Sequence, residues 1–416
     1  MGDSSITCCY RGVAKFLTKR VELTAQIDSP AAPPMEAPSA AKLGKASAVA
    51  LPARGIEDID TVDTLPDYPG VTEIESGVST TASEWDTAEA RDIEQRMEDA
   101  AHVSEWNSKD WDILETLQEA PRNQGRVLLA RSLRHGGTFA AVKQMPNEWV
   151  AASHTEFVRE HPDSTERPWF DVGIVHYLND CGFEHVLRPL GVFKDTLNTY
   201  VVSAYATEGD MFSWVPRERP QGDSEHTNLR PLMQQLFGAV RQLHDFGISH
   251  NDLSLENILV TREDPSDAPS IKLIDFGMAS LAQHNRGCSG KRSYVAPEQH
   301  ADELHDSRLS DAFAVGVCLF TLAARSYPWD STRPGCCRQF DFIAAHGLRA
   351  YIARKRVRRS SDVRLGEVLS PSLVDVVEGL LALRPEARAC LGERCFADDV
   401  ASGVRRSATS MPWLNA

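Results

Sequence analysis

Large apolar residues are unevenly distributed along the chain. Residues 22–80 carry few of them and are rich in Ala, Pro, Ser and acidic groups. Such a stretch buries too little surface to offset the entropy of ordering, so disorder is predicted. Residues 84–101, EWDTAEARDIEQRMEDAA, show a thin stripe of Trp85, Ile93 and Met97 on an acidic background. With Ser83 as N-cap this predicts one helix. It is assigned to a solvated linker, the other reading being that the stripe docks on the folded part. From Trp111 the pattern changes. Residues 111–119, 125–133 and 138–145 read as three strands, and Gly136-Gly137 fits a hairpin turn between the last two. Residues 201–206, VVSAYA, read as a further strand leading into a connection. Residues 229–246 form an amphipathic helix. Ile258-Leu259-Val260 and residues 271–274 are short apolar runs that predict two more strands. The longest apolar run, residues 312–324, is about 13 residues long and includes Thr321. That is too short to span a bilayer and predicts a buried core helix.

Three short motifs sit in fixed order among these elements. They are His250-Asn251-Asp252 followed by Asn257, then Asp275-Phe276-Gly277, then Ala296-Pro297-Glu298. Asn257 lies five residues past Asp252 and leads into one apolar run, while Asp275 follows the other. Two strand ends thus each carry an oxygen-bearing side chain. In this order and spacing the motifs resemble the catalytic half of the eukaryotic protein kinase family. The resemblance extends over about residues 111–405.

The resemblance implies an α+β, bilobal protein-kinase-like fold. A small β-rich lobe would cover about 111–204 and a larger helical lobe about 205–405. Residues 1–110 would then be a largely disordered acidic extension and 406–416 a C-terminal tail. It also implies transfer of the ATP γ-phosphate to Ser or Thr hydroxyls of a protein substrate, with Mg²⁺. Phosphoryl transfer passes through a loose transition state, so the protein mainly positions groups and neutralises charge. Asp252 matches the carboxylate that faces the substrate hydroxyl. Asn257 and Asp275 match the metal ligands, hard oxygen donors that suit Mg²⁺. Lys143, in FAAVK, matches the lysine on the α- and β-phosphates. Gly125, Val127, Ala141, Ser203, Ala204, Ala206, Asp210 and Leu259 complete the nucleotide set, with Ser203 at the gatekeeper position and Asp210 at the ribose. Asp311 matches the residue that braces the catalytic loop, and Arg388 the partner of Glu298. Leu255-Glu256-Asn257 and Ser293-Tyr294 resemble Ser/Thr-type rather than Tyr-type members.

The chain departs from the pattern at several places. The phosphate-covering loop, Ala120-Pro121-Arg122-Asn123-Gln124-Gly125, keeps only its last glycine. Glycines there let backbone N–H groups approach phosphate without a Cβ in the way. Ile174 stands where the family has the Glu that pairs with Lys143. Asp171, one turn earlier, is the nearest carboxylate and is taken as the partner. Asn251 replaces the Arg that would bind a phosphorylated loop. Ser254 replaces the Lys two residues past the catalytic Asp, and Lys291 stands where Ser/Thr members carry a Thr. The hydroxyl and ammonium have changed places, which puts Ser254 and Lys291 in the catalytic set. Lys291 is expected to reach toward the phosphoryl group and Ser254 to hydrogen-bond Asp252, the other reading being that Lys291 is a solvated charge and the site lacks one there. A catalytically silent kinase-like scaffold that binds partners or nucleotide is the alternative to an active enzyme.

Composition narrows the picture further. Across 416 residues the formal charge is −15, which argues against a dedicated nucleic-acid binder. Residues 21–110 hold about 19 acidic against 6 basic residues, so the charge is concentrated there. The nine Cys form no CxxC pair, and no secretory signal is read, so reduced thiols in the cytoplasm are expected. Gly2, Cys8 and Cys9 beside Arg11, Lys15, Lys19 and Arg20 offer a lipidated membrane anchor. The strict myristoylation pattern fails at Ile6, leaving dual palmitoylation of the cysteines or a plain disordered tail. The basic run at residues 354–359, RKRVRR, reads as a solvated helix face, with nuclear import or docking as the other reading.

Overall fold

The computed structural model describes residues 88–100, 103–120, 125–134, 136–218, 229–301, 303–357 and 362–415. Cys8, Cys9, the other residues before Ala88, residues 101–102, Arg122, Arg358 and Arg359 lie outside the described residues.

The small lobe is a six-stranded sheet. Its strands are β1 (Ser104–Glu105), β2 (Trp111–Ala120), β3 (Gly125–Ser132), β4 (Phe139–Pro146), β5 (Pro189–Lys194) and β6 (Asn198–Ala204), in the order β1-β5-β6-β4-β3-β2. All pairings are antiparallel except β1 with β5. Side chains along a strand alternate between faces, and register carries that alternation across the sheet. Leu128 pairs with Val142 and Val142 with Val202, and these lie on the face packed with Ala130, Ala140 and Tyr200 beneath Trp106 and Trp111. Trp106 stacks on Tyr200 at 4.0 Å. The opposite face carries Val127 paired with Lys143, and Ala141 paired with Ser203. Four of the sequence-predicted nucleotide residues therefore share one face by strand parity.

Between β4 and β5 run α2 (His154–Glu160) and α3 (Pro168–Asp180), the latter bearing Asp171. The large lobe follows. It contains β7 (Gly209–Asp210), α4 (Met211–Glu218), α5 (Leu229–Asp245), β8 (Ile258–Thr261), β9 (Ser270–Leu273), β10 (His284–Asn285) and β11 (His305–Asp306). Its remaining longer helices are α6 (Ser307–Ala324), α7 (Arg338–His346), α8 (Leu348–Arg354) and α9 (Pro371–Leu380). Strands β7, β8 and β9 form a small antiparallel sheet, and β10 pairs with β11. The predicted core helix is α6. Asp306 caps it by accepting from the Arg308 and Leu309 amides, which extends it five residues upstream of the apolar run. Among the described residues α6 alone is long and apolar enough to cross a membrane, yet 94% of it is buried inside the fold.

Two boundaries differ from the sequence reading. The acidic helix assigned to a linker, α1 (Ala88–Ala100), packs along α3. Ile93 and Met97, one turn apart, are buried in the main core with Phe170, Ile174 and Tyr177. Gly173 makes this possible: a Cβ there would stand 2.5 Å from Met97 Cγ and 3.2 Å from the Ile93 carbonyl oxygen. Arg96 pairs with Asp180 and lies over the Tyr177 ring. The folded unit thus includes α1 and β1, upstream of Trp111. Residues 408–415 are likewise no tail. Ala408, Met411, Trp413 and Leu414 are buried, and Gln234 donates to the Leu414 carbonyl at 2.6 Å. Four apolar residues in so short a span show no period, so only tertiary contact reveals them.

A Gly173→Val variant places a side chain in the gap that Met97 fills. Overpacking of this kind costs about 1–3 kcal/mol. The expected outcome is a urea midpoint lowered accordingly and faster proteolytic release of the segment before β1. An unchanged midpoint would show that the contact with α1 is dispensable.

Candidate active site

The site is built where chain ends meet. Residues 249–257 connect α5 to β8, and Asn257 immediately precedes β8 while Asp275 lies two residues past β9. The pairing of Ile258 with Leu273 brings the two strand ends side by side. Asn257 Nδ2 donates to Asp252 Oδ2 at 2.9 Å and to the Asp252 carbonyl at 2.8 Å. That fixes the catalytic loop's candidate base against its candidate metal ligand. Asp252 Oδ1 is buried and has no hydrogen-bond partner. Burial holds the Asp252 carboxyl above its ordinary value, and the nearby Lys291 charge opposes this.

Lys143 Nζ stands 3.4 Å from Asp171 Oδ2 and 3.4 Å from Asp275 Oδ1. Its own burial works against the charge, but Asp275, Asp171 and Glu166 outweigh that and raise its pKa. In return Lys143 holds the Asp275 carboxyl below the usual range. Asp171 therefore takes the place of the absent Glu, while Ile174 is fully buried in the core. Asp171 does more than the sequence reading assigned it. Its Oδ1 accepts the Phe276 amide at 2.8 Å, and the Gly277 carbonyl accepts the Arg167 amide at 2.9 Å. The start of α3 thus grips both Lys143 and the backbone that presents Asp275. Asp275 sits in the left-handed region, with φ 68°, so these contacts hold a conformation that costs a non-glycine residue energy.

Beneath the catalytic loop lies a buried polar stack. Asp311 Oδ2 accepts the His250 amide at 2.6 Å, and its Oδ1 accepts the Asn251 amide at 2.9 Å. His244 bridges Asp311 at 3.0 Å and Glu393 at 2.8 Å through its two ring nitrogens. Asp311 is where the sequence reading placed it; His244 and Glu393 were missed. His244 falls on the amphipathic α5 and Glu393 lies far downstream, so only the fold brings them together. His250 packs on Phe276 with centroids 4.9 Å apart. Arg388 forks onto Glu298 with contacts of 2.5 and 2.8 Å and donates to the Leu309 carbonyl at 3.0 Å, anchoring the end of the segment from Asp275 to Glu298.

The remaining predicted residues divide. Gly125 opens β3 beside the undescribed residues 121–124. Leu259 pairs with Asp210 between β7 and β8, and Ala204 ends β6 before the buried Ala206. Both oxygens of Asp210 are engaged by Ser213, from its amide at 2.7 Å and its hydroxyl at 3.1 Å, and burial raises the Asp210 carboxyl pKa. Ser254 does not hydrogen-bond Asp252 as expected. Its hydroxyl accepts from Lys291 Nζ at 2.5 Å, while Asn257 takes Asp252 Oδ2. Asn257 Nδ2 already holds Asp252 Oδ2, and the Ser254 hydroxyl lies instead within reach of the Lys291 ammonium, a charge-assisted donor.

The oxygen set fits Mg²⁺. Among the described residues no group of three His, Cys, Asp or Glu side chains is arranged to hold a metal alone. One carboxylate on Asp275 and one amide oxygen on Asn257 match a cation that keeps waters and phosphate oxygens as its other ligands.

The buried stack predicts a pH dependence of stability. Burial disfavours charge on His244, but its hydrogen bonds to Asp311 and Glu393 raise the pKa to about 9. A histidine raised in the folded state stabilises fully below its unfolded value near 6.5. That contribution is lost as pH climbs through about 9. Chemical denaturation between pH 6.5 and 9.5 should show stability falling by a few kcal/mol. A His244→Gln variant should be less stable at pH 6.5 and flatter across the range. Parallel profiles for the two would show that His244 carries no linked proton.

Comparison with known proteins agrees with this geometry. The family model for the protein kinase domain matches residues 124–398. The chain is 28% identical over 284 residues to CBL-interacting protein kinase 1 of Oryza sativa subsp. japonica, covering 67% of this chain and 53% of that protein. It is 29% identical over 236 residues to the serine/threonine-protein kinase grp of Drosophila melanogaster, covering 54% and 40%. It is 34% identical over 153 residues to CBL-interacting serine/threonine-protein kinase 17 of Arabidopsis thaliana, covering 35% and 33%. The chain spans from about half to a third of the length of these curated relatives. With the match over most of the folded region and the motif geometry above, the chain belongs to the protein kinase domain family.

Proposed function

We propose that the chain is an active serine/threonine protein kinase using ATP and Mg²⁺. The observation that carries this reading is the paired arrangement of charges. Lys143 is held between Asp171 and Asp275, while Asp252 keeps one buried carboxylate oxygen unpartnered beside Asn257. A carboxylate oriented through one oxygen by Asn257 leaves the other to face a substrate hydroxyl, and Lys143 pairs with Asp275 at the strand end beside that of Asn257.

In this reading Asp252 Oδ1 accepts the proton of the substrate hydroxyl, and Asn257 keeps the carboxylate oriented through Oδ2. Lys143 binds the α- and β-phosphates, its ammonium positioned by Asp171. The face bearing Val127, Ala141 and Ser203 covers the adenine from above, with Leu259 below. Bound Mg²⁺, held by Asp275 and Asn257, would neutralise charge on the phosphates. The names of the relatives and the Leu255-Glu256-Asn257 sequence support Ser and Thr as acceptors.

The test is incorporation of labelled phosphate from ATP by the full chain and by Asp252→Ala. Loss of the base should reduce turnover about 10²–10⁴-fold, while Mg²⁺-ATP still raises the melting temperature of both proteins. Equal incorporation by both would refute the assignment of Asp252. A protein without activity would be the silent scaffold instead.

Uncharged donors hold the middle of the segment after Asp275, while the Arg388–Glu298 pair holds its end. Strand β10 pairs with β11, Asn285 donates to Ser307 at 2.6 Å, and Gln283 donates to Asp306 at 2.8 Å. Asn251 donates to the Met278 carbonyl at 3.3 Å and offers no charge to a phosphate. Phosphatase treatment should therefore leave activity nearly unchanged. A tenfold loss, about 1.4 kcal/mol in barrier, would show that a phosphate orders the segment.

A further inference from the structure

We propose that Lys291, carried on the segment between Asp275 and Glu298, supplies the positive charge that contacts the transferring phosphoryl group. The inference deepens the kinase reading and rests on it. Within the catalytic loop the position two residues past Asp252 is Ser254, a fully buried hydroxyl with no charge. Lys291 reaches across to fill that place. Its Nζ stands 2.5 Å from Ser254 Oγ, 3.3 Å from Asn257 Oδ1 and 3.5 Å from Glu256 Oε2. The ammonium thus touches Asn257 through its Oδ1, on the residue whose Nδ2 orients Asp252.

The bland account of such a lysine is a surface charge paired with Glu256. Three observations oppose it. An exposed ion pair alone is worth about 0–1 kcal/mol and does not fix a long side chain, yet this one converges on three acceptors. Two of those acceptors, Ser254 and Asn257, are themselves buried in the catalytic loop. The backbone that delivers Lys291 is also pressed against the loop. Gly290 has φ +92°, and a Cβ there would meet the Asn251 carbonyl at 2.9 Å and Asp252 Oδ1 at 3.4 Å. Only glycine permits that approach, and it sets the starting point from which the four-carbon stem reaches inward. Lysine acts on phosphate as a mobile point charge, so the loop from which it originates is immaterial.

One consequence follows for control. Because the charge arrives on the segment, it is present at the site only while that segment is seated. Seating depends on the β10–β11 pairing, on Trp329 donating to the Ser293 carbonyl at 3.0 Å, and on the Arg388–Glu298 fork. Order of the segment and completeness of the catalytic charge set are therefore one condition.

An ATP derivative acylated on its γ-phosphate tests the contact on the unmodified chain. An amine beside that phosphate attacks the acyl carbon, an amide forms, and ATP leaves. Mass spectrometry of the digested protein should find acyl groups on both Lys143 and Lys291, each suppressed by excess Mg²⁺-ATP. Labelling of Lys143 alone, or labelling of Lys291 that Mg²⁺-ATP does not suppress, overturns the inference and leaves the kinase reading standing. Absence of label on both lysines overturns both. In turnover assays Lys291→Ala should lower kcat by about 10²–10³ with little change in KM for ATP. Ser254→Lys combined with Lys291→Thr should restore much of the loss. Near-normal turnover of Lys291→Ala, or a folded double variant no faster than Lys291→Ala, overturns the proposal.

Discussion

A single buried carboxylate holds the catalytic loop in shape. Asp311 lies on the most deeply buried helix of the protein and spends both oxygens on consecutive backbone amides, those of His250 and Asn251. Hydrogen bonds to a charged group are worth about 1.5–3 kcal/mol each. Asn251 needs such support because its φ is 62°, a conformation Asn tolerates better than most residues but still at a cost. A bare carboxylate at this depth would be unaffordable. His244 makes it tenable by sharing a proton-bearing ring between Asp311 and Glu393, and Glu393 is satisfied in turn by the Leu391 amide at 2.8 Å. Remove Asp311 and the two loop amides lose their acceptor; remove His244 and two buried carboxylates lose the donor they share. The position of Asp252 is thus fixed from underneath, independently of nucleotide or substrate.

A second chain of dependence runs from the N-terminal helix to the same site. Aspartate is one methylene shorter than glutamate, so a partner for Lys143 on α3 must start closer to it. Asp171 does so one turn earlier than Ile174, and it uses its second oxygen on the Phe276 amide. The start of α3 and the backbone around Asp275 therefore move together. Further along α3, Gly173 receives Met97 of α1, and Arg96 pairs with Asp180 near the end of α3. The helix that positions Asp171 is packed on both sides, by α1 at one face and by Phe276 and the core at another. A nucleotide-site contact and an apolar contact near the start of the folded unit are parts of one rigid arrangement.

These dependences explain what could be read in the sequence. The motifs are legible because phosphoryl transfer demands particular side chains at short, fixed separations, and strand ends supply that spacing within a few residues. The faces of β3, β4 and β6 are legible because a period of two is local. Asp171 is legible by counting turns. The docking of α1 is not: its stripe within the described residues is Ile93 and Met97 alone, and what decides the matter is a missing Cβ some 76 residues downstream. His244, Asp311 and Glu393 share no local pattern. The partner of Ser254 is not legible because Lys291 lies 37 residues downstream, and only the fold brings its ammonium to the Ser254 hydroxyl while Asn257 holds Asp252 Oδ2.

The substitutions that depart from the family pattern are consistent with one another. A chain with Asn251 before Asp252 presents no cation there to a phosphate on its loop, and its loop is fastened instead by backbone pairing, by amide donors to Ser307 and the Asp306 carboxylate, and by the Arg388–Glu298 pair. Such contacts are short-ranged and little screened by salt, unlike a phosphate–arginine pair. They also need no added charge. A segment seated by such contacts can carry a lysine into the site in place of a fixed one on the catalytic loop. In a kinase whose loop must first be ordered by modification, the same relocation would remove a needed charge from every unmodified molecule. The anchoring of the segment by contacts of the fold and the exchange of Ser254 with Lys291 are therefore best understood as a single adaptation, in which the first change makes the second tolerable.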